Sequence, residues 1–217
     1  MKVAAIIPAL NEEKTIGAVI QAAKGSSNIS DIIVVDDGST DKTFFVAQQF
    51  EASKVIKLDK NYGKAEAMER GVRNTDASLL IFIDADFIGL TSQQLDDLIE
   101  PVMDGGVDMA IGKIDRRNKK QEVPAIFKHQ AHLSGTRVLR RSFWEEIPQE
   151  YKKRYYIESA ISYIAKERGM RIKETFLENV KHIMKEEKYG VPIGFFSRMR
   201  MFVQLAIVFI VLHLKNQ

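Results

Sequence analysis

Leu79-Leu80-Ile81-Phe82-Ile83-Asp84-Ala85-Asp86 decides how this chain is read. Five apolar residues in a row, with no polar alternation, describe a strand covered on both faces. Two carboxylates follow at once, with only Ala85 between them. In an open α/β sheet, ligands sit outside the carboxyl ends of the strands. This strand therefore delivers a pair of anions to the place where a ligand binds. Hard divalent ions take oxygen ligands, and Mg²⁺ is commonly held by one or two carboxylates plus substrate phosphates. The stretch predicts a metal at Asp84 and Asp86, and a diphosphate on that metal. A plain acidic turn is the competing reading of the same residues.

The preceding sequence repeats the pattern. Residues 2–7 form an apolar strand, and Pro8 is expected to end its hydrogen bonding and open the loop Pro8-Ala9-Leu10-Asn11. Asn11 fits a helix N-cap, with Glu12 and Glu13 in the first turn. Ile16, Val19, Ile20 and Ala23 then recur at helical spacing. Ile32-Ile33-Val34-Val35 is a second buried strand, followed by Asp36-Asp37-Gly38-Ser39-Thr40-Asp41. Ser39, Thr40 and Asp41 can cap a helix over 42–50, and capping explains Asp41 well. Two consecutive aspartates exceed what a turn needs, and a carboxylate there can accept from a nucleobase imide or a ribose hydroxyl. Residues 54–58 read as an edge strand, and Asn61-Tyr62-Gly63-Lys64 opens a helix over 65–72. Gly63 allows close backbone approach, while the helix N-terminus and Lys64 favour an anion. A helix over 91–103 follows, with Thr91 or Ser92 as its cap. This β-α alternation with short connections predicts a parallel, doubly wound sheet whose strand ends converge on one rim. The first strand lacks a G-x-G-x-x-G turn, which disfavours a nicotinamide or flavin Rossmann site, and the chain has no P-loop sequence.

Composition narrows the classes further. A chain of 217 residues can bury one full core. With no cysteine, disulfides and thiolate metal sites are excluded. The net charge of +3 hides an asymmetry: residues 1–110 hold 10 Lys/Arg against 18 Asp/Glu, and residues 111–217 hold 22 against 11. A basic second half points to an anionic partner, either a phosphate-bearing substrate or a membrane surface. Nucleic acid is not expected, because the basic residues are scattered among acids and no nucleic-acid motif is present. The first strand starts directly, without a basic and apolar leader, so a cytoplasmic protein is expected, peripheral on the inner face of the cell membrane.

In the second half, residues 107–112 read as a strand and 113–121 as an exposed basic loop. Ser134-Gly135-Thr136-Arg137-Val138-Leu139-Arg140-Arg141 places three arginines within five residues. Arginine binds phosphate bidentately, and Arg137 is the expected contact. Tyr155-Tyr156-Ile157-Glu158 precedes a helix over 159–168, where Glu158 is either a first-turn dipole partner or an active-site carboxylate. Residues 180–183 are strand-like. Their His182 becomes a third metal ligand if the fold brings it to the aspartates. Leu205 to Leu212 is eight apolar residues without interruption, and the whole apolar stretch reaches about 14, short of the roughly 20 that span a bilayer. Arg198 and Arg200 before it and Lys215 after it suit a helix lying in a membrane interface, with packing on the core or pairing to a second copy as the other expectations.

Taken together, Pro8-Ala9-Leu10-Asn11-Glu12, Asp36 to Asp41, Asn61-Tyr62-Gly63-Lys64 and Asp84-Ala85-Asp86 resemble the family 2 glycosyltransferases of the GT-A fold. The second half is similar to the branch containing dolichol-phosphate mannose synthase and glucosyl-3-phosphoglycerate synthase. The resemblance implies a Rossmann-like three-layer α/β/α sandwich with a mostly parallel central sheet, and a C-terminal hydrophobic helix. It implies one domain over 1–193, with a nucleotide-sugar half (1–112) and an acceptor half (113–193), then an apolar helix over 194–217. The implied activity is metal-dependent transfer of a sugar from a UDP- or GDP-sugar, with Mn²⁺ or Mg²⁺. The acceptor is a phosphorylated small molecule, a polyprenyl phosphate or another lipid-linked or envelope glycan. Pro8, Ala9, Leu10, Glu12, Val35 and Asp37 would line the nucleoside site. Lys64, Asp84 and Ala85 would hold the remainder of the donor, and Asp84, Asp86 and His182 the metal. Asp86, Arg137 and Glu158 would carry catalysis. One departure stands out. Many inverting members have a Glu-Asp pair before a helix, and here the pair is Glu158-Ser159. An acceptor phosphate is already anionic and needs no base. The rival readings are a nucleotidyltransferase, which needs a Gly-rich basic loop where Pro8-Ala9-Leu10-Asn11 stands, and a nucleotide-binding membrane-associated protein without turnover.

Overall fold

A computed structural model describes residues 1–114, 136–152 and 157–182. The elements run β1 (Val3–Ala9), α1 (Ile16–Gly25), β2 (Asp31–Asp36), α2 (Thr43–Gln49), β3 (Lys54–Lys57), α3 (Lys64–Val72), β4 (Leu79–Phe82), β5 (Phe87–Ile88), α4 (Ser92–Met103), β6 (Met109–Ile114), β7 (Arg137–Arg140), α5 (Arg141–Glu146), α6 (Ile157–Glu167), β8 (Ile172–Leu177) and β9 (Lys181–His182). Seven strands form one sheet in the order β3-β2-β1-β4-β7-β6-β8. β7 runs antiparallel to both neighbours, β4 and β6, and the remaining pairs are parallel. β5 and β9 form a separate two-stranded ladder.

The alternation along β1 explains the three layers. Val3, Ala5 and Ile7 face a core built with Ile16, Val19 and Ile20 of α1 and Leu95, Leu98 and Ile99 of α4. Ala4 and Ile6 face the other side, with Met68 and Val72 of α3, Trp144 of α5 and Ile161 of α6. Helices therefore cover both faces of a mostly parallel sheet, as the unbroken apolar strands require. The predicted edge strand over 54–58 is β3, at one end of the sheet.

Three local expectations change. Pro8 lies inside β1, opposite Val35. Ile6 O accepts from Ile83 N on the β4 side and Ala9 O accepts from Asp37 N on the β2 side. That alternation turns Pro8 toward β4, just past the pairing of Ile6 with Phe82, where its missing N–H ends the β4 ladder while β1 continues against β2. Asn11 is not an N-cap: its φ is +56° and α1 starts only at Ile16. Lys113 belongs to β6 rather than an exposed loop. It is buried and pairs with Glu174 at 2.5 Å. Residues 115–121 of that expected loop, Ser134 and Gly135, and the apolar segment over 194–217 lie outside the described residues. No helix among the described residues is long and apolar enough to cross a membrane.

The second half of the chain is tied to α3 through Glu69. Its carboxylate accepts from Trp144 Nε1 at 2.9 Å, Lys152 Nζ at 3.2 Å and Arg73 Nε at 3.0 Å. Burial alone would raise the Glu69 pKa, but Lys152 and these hydrogen bonds bring it below its ordinary 4.5. A carboxylate lowered on folding stabilises the native state above its unfolded pKa, and that contribution fades as pH falls through the native value. Glu69→Gln should therefore flatten the acid limb of stability below about pH 4.5. Trp144, the single tryptophan, reports this directly by its fluorescence. An acid limb as steep as that of the parent would remove Glu69 from the account.

Candidate active site

The loops after β1 and β2 are laced side chain to backbone. Asn11 Oδ1 accepts from Thr40 N at 2.9 Å, and Asn11 N donates to Ser39 Oγ at 2.9 Å. Glu12 N donates to Thr43 Oγ1 at 2.7 Å, Glu13 N to Asp41 Oδ2 at 3.1 Å, and Lys42 N to Glu13 Oε2 at 2.9 Å. The segment Pro8-Ala9-Leu10-Asn11-Glu12 is thereby fixed against the Asp36 to Asp41 turn. Ser39, expected only as a candidate helix cap, and Thr43, not singled out by the sequence, are its fasteners. Gly38, at φ +74°, lets that turn pack on the next loop, since a Cβ there would stand 2.5 Å from the Lys60 carbonyl carbon.

Asp37 is buried, and both of its oxygens hold the loop after β3. Oδ1 accepts from Tyr62 N at 2.7 Å and Oδ2 from Gly63 N at 2.8 Å. Burial raises its pKa, and those two N–H groups only partly counter the rise. Val35, also buried, lies two residues earlier on β2. Gly63 then turns the chain into α3 with φ +100° and ψ 156°, a region essentially closed to residues with a Cβ. Gly63→Ala should cost about 1–3 kcal/mol of stability and displace Lys64, the next residue. Chemical unfolding beside a nucleotide titration tests this, and unaltered values in both would sink it.

Lys64 stands at the centre of the site. Its ammonium lies 2.5 Å from Asp84 Oδ1 and also contacts Glu158 Oε1. All three side chains are mostly buried, at 21%, 12% and 15% exposure. Burial would lower the Lys64 pKa, but the two carboxylates overcome it and hold the ammonium well above its ordinary 10.5. Burial would likewise raise Asp84, yet Lys64, then His182 and Arg137, bring it below the usual carboxylate range. Asp84 N also approaches Thr136 Oγ1 at 3.5 Å. Thr136 is fully buried and was visible in the sequence only as the neighbour of Arg137.

Asp86, two residues on, meets His182. The antiparallel pairing of Phe87 with His182 carries the imidazole to Asp86, with Nδ1 2.9 Å from Oδ1. The Phe87 ring stacks near the imidazole at 4.9 Å. Ala85, buried, separates the Lys64 side of the cluster from the His182 side. Among the described residues, no three His, Asp or Glu side chains already converge as a ligand set. The donor types, two carboxylates and an imidazole, nevertheless suit Mn²⁺ or Mg²⁺ with further oxygens from a ligand.

The three clustered arginines all bond main-chain carbonyls. Arg140 Nη2 donates to Val102 O at 3.2 Å, near the end of α4. Arg141 donates to Ala77 O, Val72 O and Thr75 O, closing the end of α3. Arg137, expected at an acceptor phosphate, is fully buried in β7 instead. Its Nη1 donates to Glu158 O at 2.9 Å and to Ser162 Oγ at 3.3 Å. Burial lowers its pKa against the opposing pull of Glu158 and Asp84. Glu158 is thus held twice, by Lys64 at its carboxylate and by Arg137 at its backbone.

Residues 4–175 match the family model described as glycosyl transferase family 2. The chain belongs to glycosyltransferase family 2. This transferase domain is 39% identical over 98 residues to 4,4'-diaponeurosporenoate glycosyltransferase of Staphylococcus aureus (strain USA300). The match takes in 43% of the chain but only 26% of that relative, so the chain spans about a quarter of its length. Among solved structures, glucosyl-3-phosphoglycerate synthase from Mycobacterium tuberculosis, in complex with Mn²⁺, UDP and glucosyl-3-phosphoglycerate, superposes with a TM-score of 0.71 at 24% identity. That comparison covers 84% of this family 2 chain and 72% of the other. The same synthase in complex with phosphoglyceric acid gives a TM-score of 0.72 at 25% identity, over 84% and 72% of the two chains. The mostly parallel sheet with helices on both faces is accordingly the GT-A fold.

Proposed function

We propose that this protein transfers a sugar from a nucleoside diphosphate sugar to a phosphate-bearing acceptor, with a divalent cation. The observation that carries the reading is the buried Lys64 ammonium joining Asp84, at the end of the donor strand, to Glu158, at the start of α6, beside the Asp86–His182 pair. The bond between the anomeric carbon and the diphosphate oxygen breaks, its electron pair leaves with the nucleoside diphosphate, and an acceptor oxygen bonds the carbon. Pro8, Ala9, Leu10, Glu12, Val35 and Asp37 shape the nucleoside wall, Asp37 by fixing Tyr62 and Gly63. Lys64 and the N-terminus of α3 face the diphosphate. Asp86 and His182, with Asp84 beside them, hold the metal. When bound, that ion neutralises charge developing on the leaving group. Glu158 positions the acceptor or accepts its proton. Arg137 acts through Glu158 rather than on the acceptor itself.

The solved relatives support both halves of the reading, since one of them holds Mn²⁺, UDP and phosphoglyceric acid together. The basic second half supports an anionic acceptor. The apolar run near residues 205–212 makes a lipid-linked phosphate one form of it, at a membrane surface.

A thermal-shift panel of UDP-, GDP-, TDP- and CDP-sugars, each with and without Mn²⁺ or Mg²⁺, tests the donor. A ligand that binds the native state alone raises apparent stability by mass action. The expected result is a metal-dependent shift with a UDP- or GDP-sugar, and then sugar transfer onto a phosphorylated acceptor but not its dephosphorylated form. No shift with any donor would defeat the reading.

A further inference from the structure

We propose that Lys64 is an internal counter-cation that keeps a divalent ion from Asp84 until an anionic donor draws its ammonium away, so that metal and nucleotide load together. The inference rests on the donor reading above and adds a binding order to it.

Three observations carry it. The ammonium is in direct contact with Asp84 Oδ1, as a charge-assisted hydrogen bond. The same ammonium is shared with Glu158, so one positive charge serves two mostly buried carboxylates, one after β4 and one at the start of α6. Lys64 is held there by its backbone: Gly63 turns into α3 with φ +100°, and the loop before it is pinned by Asp37. A divalent ion approaching Asp84 therefore meets a fixed like charge at close range and must displace it. A diphosphate changes the balance, because its oxygens offer the ammonium a new partner while offering the metal additional ligands. Metal alone should bind weakly, and metal with nucleoside diphosphate should bind strongly.

Removing the ammonium should reverse the first of these. Two buried carboxylates without a counter-ion are costly, and a divalent ion supplies the missing charge. The test is calorimetric titration of Mn²⁺ alone into the full chain, compared with Lys64→Met and Lys64→Gln. The expected result is at least tenfold tighter Mn²⁺ binding in both variants. Their melting temperature should also rise more on moving from chelator to Mn²⁺ than that of the parent. UDP should raise Mn²⁺ affinity in the parent and do so much less in the variants. Folded variants that bind Mn²⁺ no more tightly than the parent would overturn the inference. Should the Lys64 variants not fold, Glu158→Gln gives the opposite sign: it leaves the ammonium to Asp84 alone, so Mn²⁺ binding should weaken, and tighter binding would overturn the idea. The titration without nucleotide scores Lys64 by itself, whereas a parent protein that binds neither UDP nor GDP, with or without Mn²⁺, defeats the donor reading separately.

Discussion

Asp86→Ala should lower kcat/KM at least about 100-fold and abolish the effect of Mn²⁺ on nucleotide binding. A metal at the leaving diphosphate contributes several kcal/mol to the transition state, and each 1.36 kcal/mol is tenfold in rate. The site explains why this falls on Asp86 more than on Asp84. Asp84 has Lys64 as a standing partner, while Asp86 is 30% exposed and is paired with an imidazole that itself suits a metal. The fold should tolerate the change, since Asp86 lies in the short connection between β4 and β5 rather than in the core. Matching melting temperatures with lost metal dependence is the expected pattern. Asp86→Asn, which keeps the shape but removes the charge, should lose nearly as much. A variant keeping more than a tenth of the parent kcat/KM, with its response to Mn²⁺ intact, would mean that the ion is held elsewhere.

Arg137→Met should be the most damaging change to stability, at about 3 kcal/mol. The guanidinium is fully buried and bonds the Glu158 carbonyl and the Ser162 hydroxyl at once. Methionine fills part of the volume but leaves Glu158 O without this donor and removes a cation from beside Asp84 and Glu158. For a chain of this length the loss corresponds to a melting temperature roughly 6–12 °C lower. Arg137→Lys should lie between, because an ammonium cannot reproduce the planar fork. Turnover should fall as well, through Glu158 losing its backbone anchor. A melting temperature within about 2 °C of the parent would show that α6 is positioned by other contacts.

The parallel half was legible because its signals are local. Apolar runs such as Ile32 to Val35 and Leu79 to Ile83 gave strands, polar residues at their ends gave the rim, and of the two candidate caps of α4, Thr91 and Ser92, the structure has Thr91, in a reciprocal box with Gln94. Pro8 was misread because the rule against proline in a strand depends on which neighbour the missing N–H would face, and sequence does not show that β4 stops at Phe82. Asn11 has the chemistry of a cap, but its partner is Thr40, across the gap between two strand ends. The arginine cluster diverges similarly: Arg137, the expected phosphate contact, bonds the start of α6, Arg140 the end of α4, and Arg141 the end of α3 and the turn after it. His182 was legible as a residue type, and only the pairing of β5 with β9 placed it beside Asp86. Lys64 could be named from the Gly63-Lys64 turn, but its bridge to Glu158 crosses from one half of the chain to the other.

The insertion of β7 between β4 and β6 bears on how the protein emerges from the ribosome. β1 through β4 are made first and can assemble as a parallel unit, but the free edge of Leu79 to Phe82 waits until Arg137–Arg140 has been synthesised. At ordinary translation speeds that delay is about 3–12 s. During it a fully apolar strand edge lies open to pairing with another nascent chain. A fragment stopped at residue 112 would carry that exposed edge permanently, and its truncated β6 would lack both of its neighbours, β7 and β8. The donor half, though it reads as self-contained, is thus expected to need its second half, or a chaperone, to stay soluble.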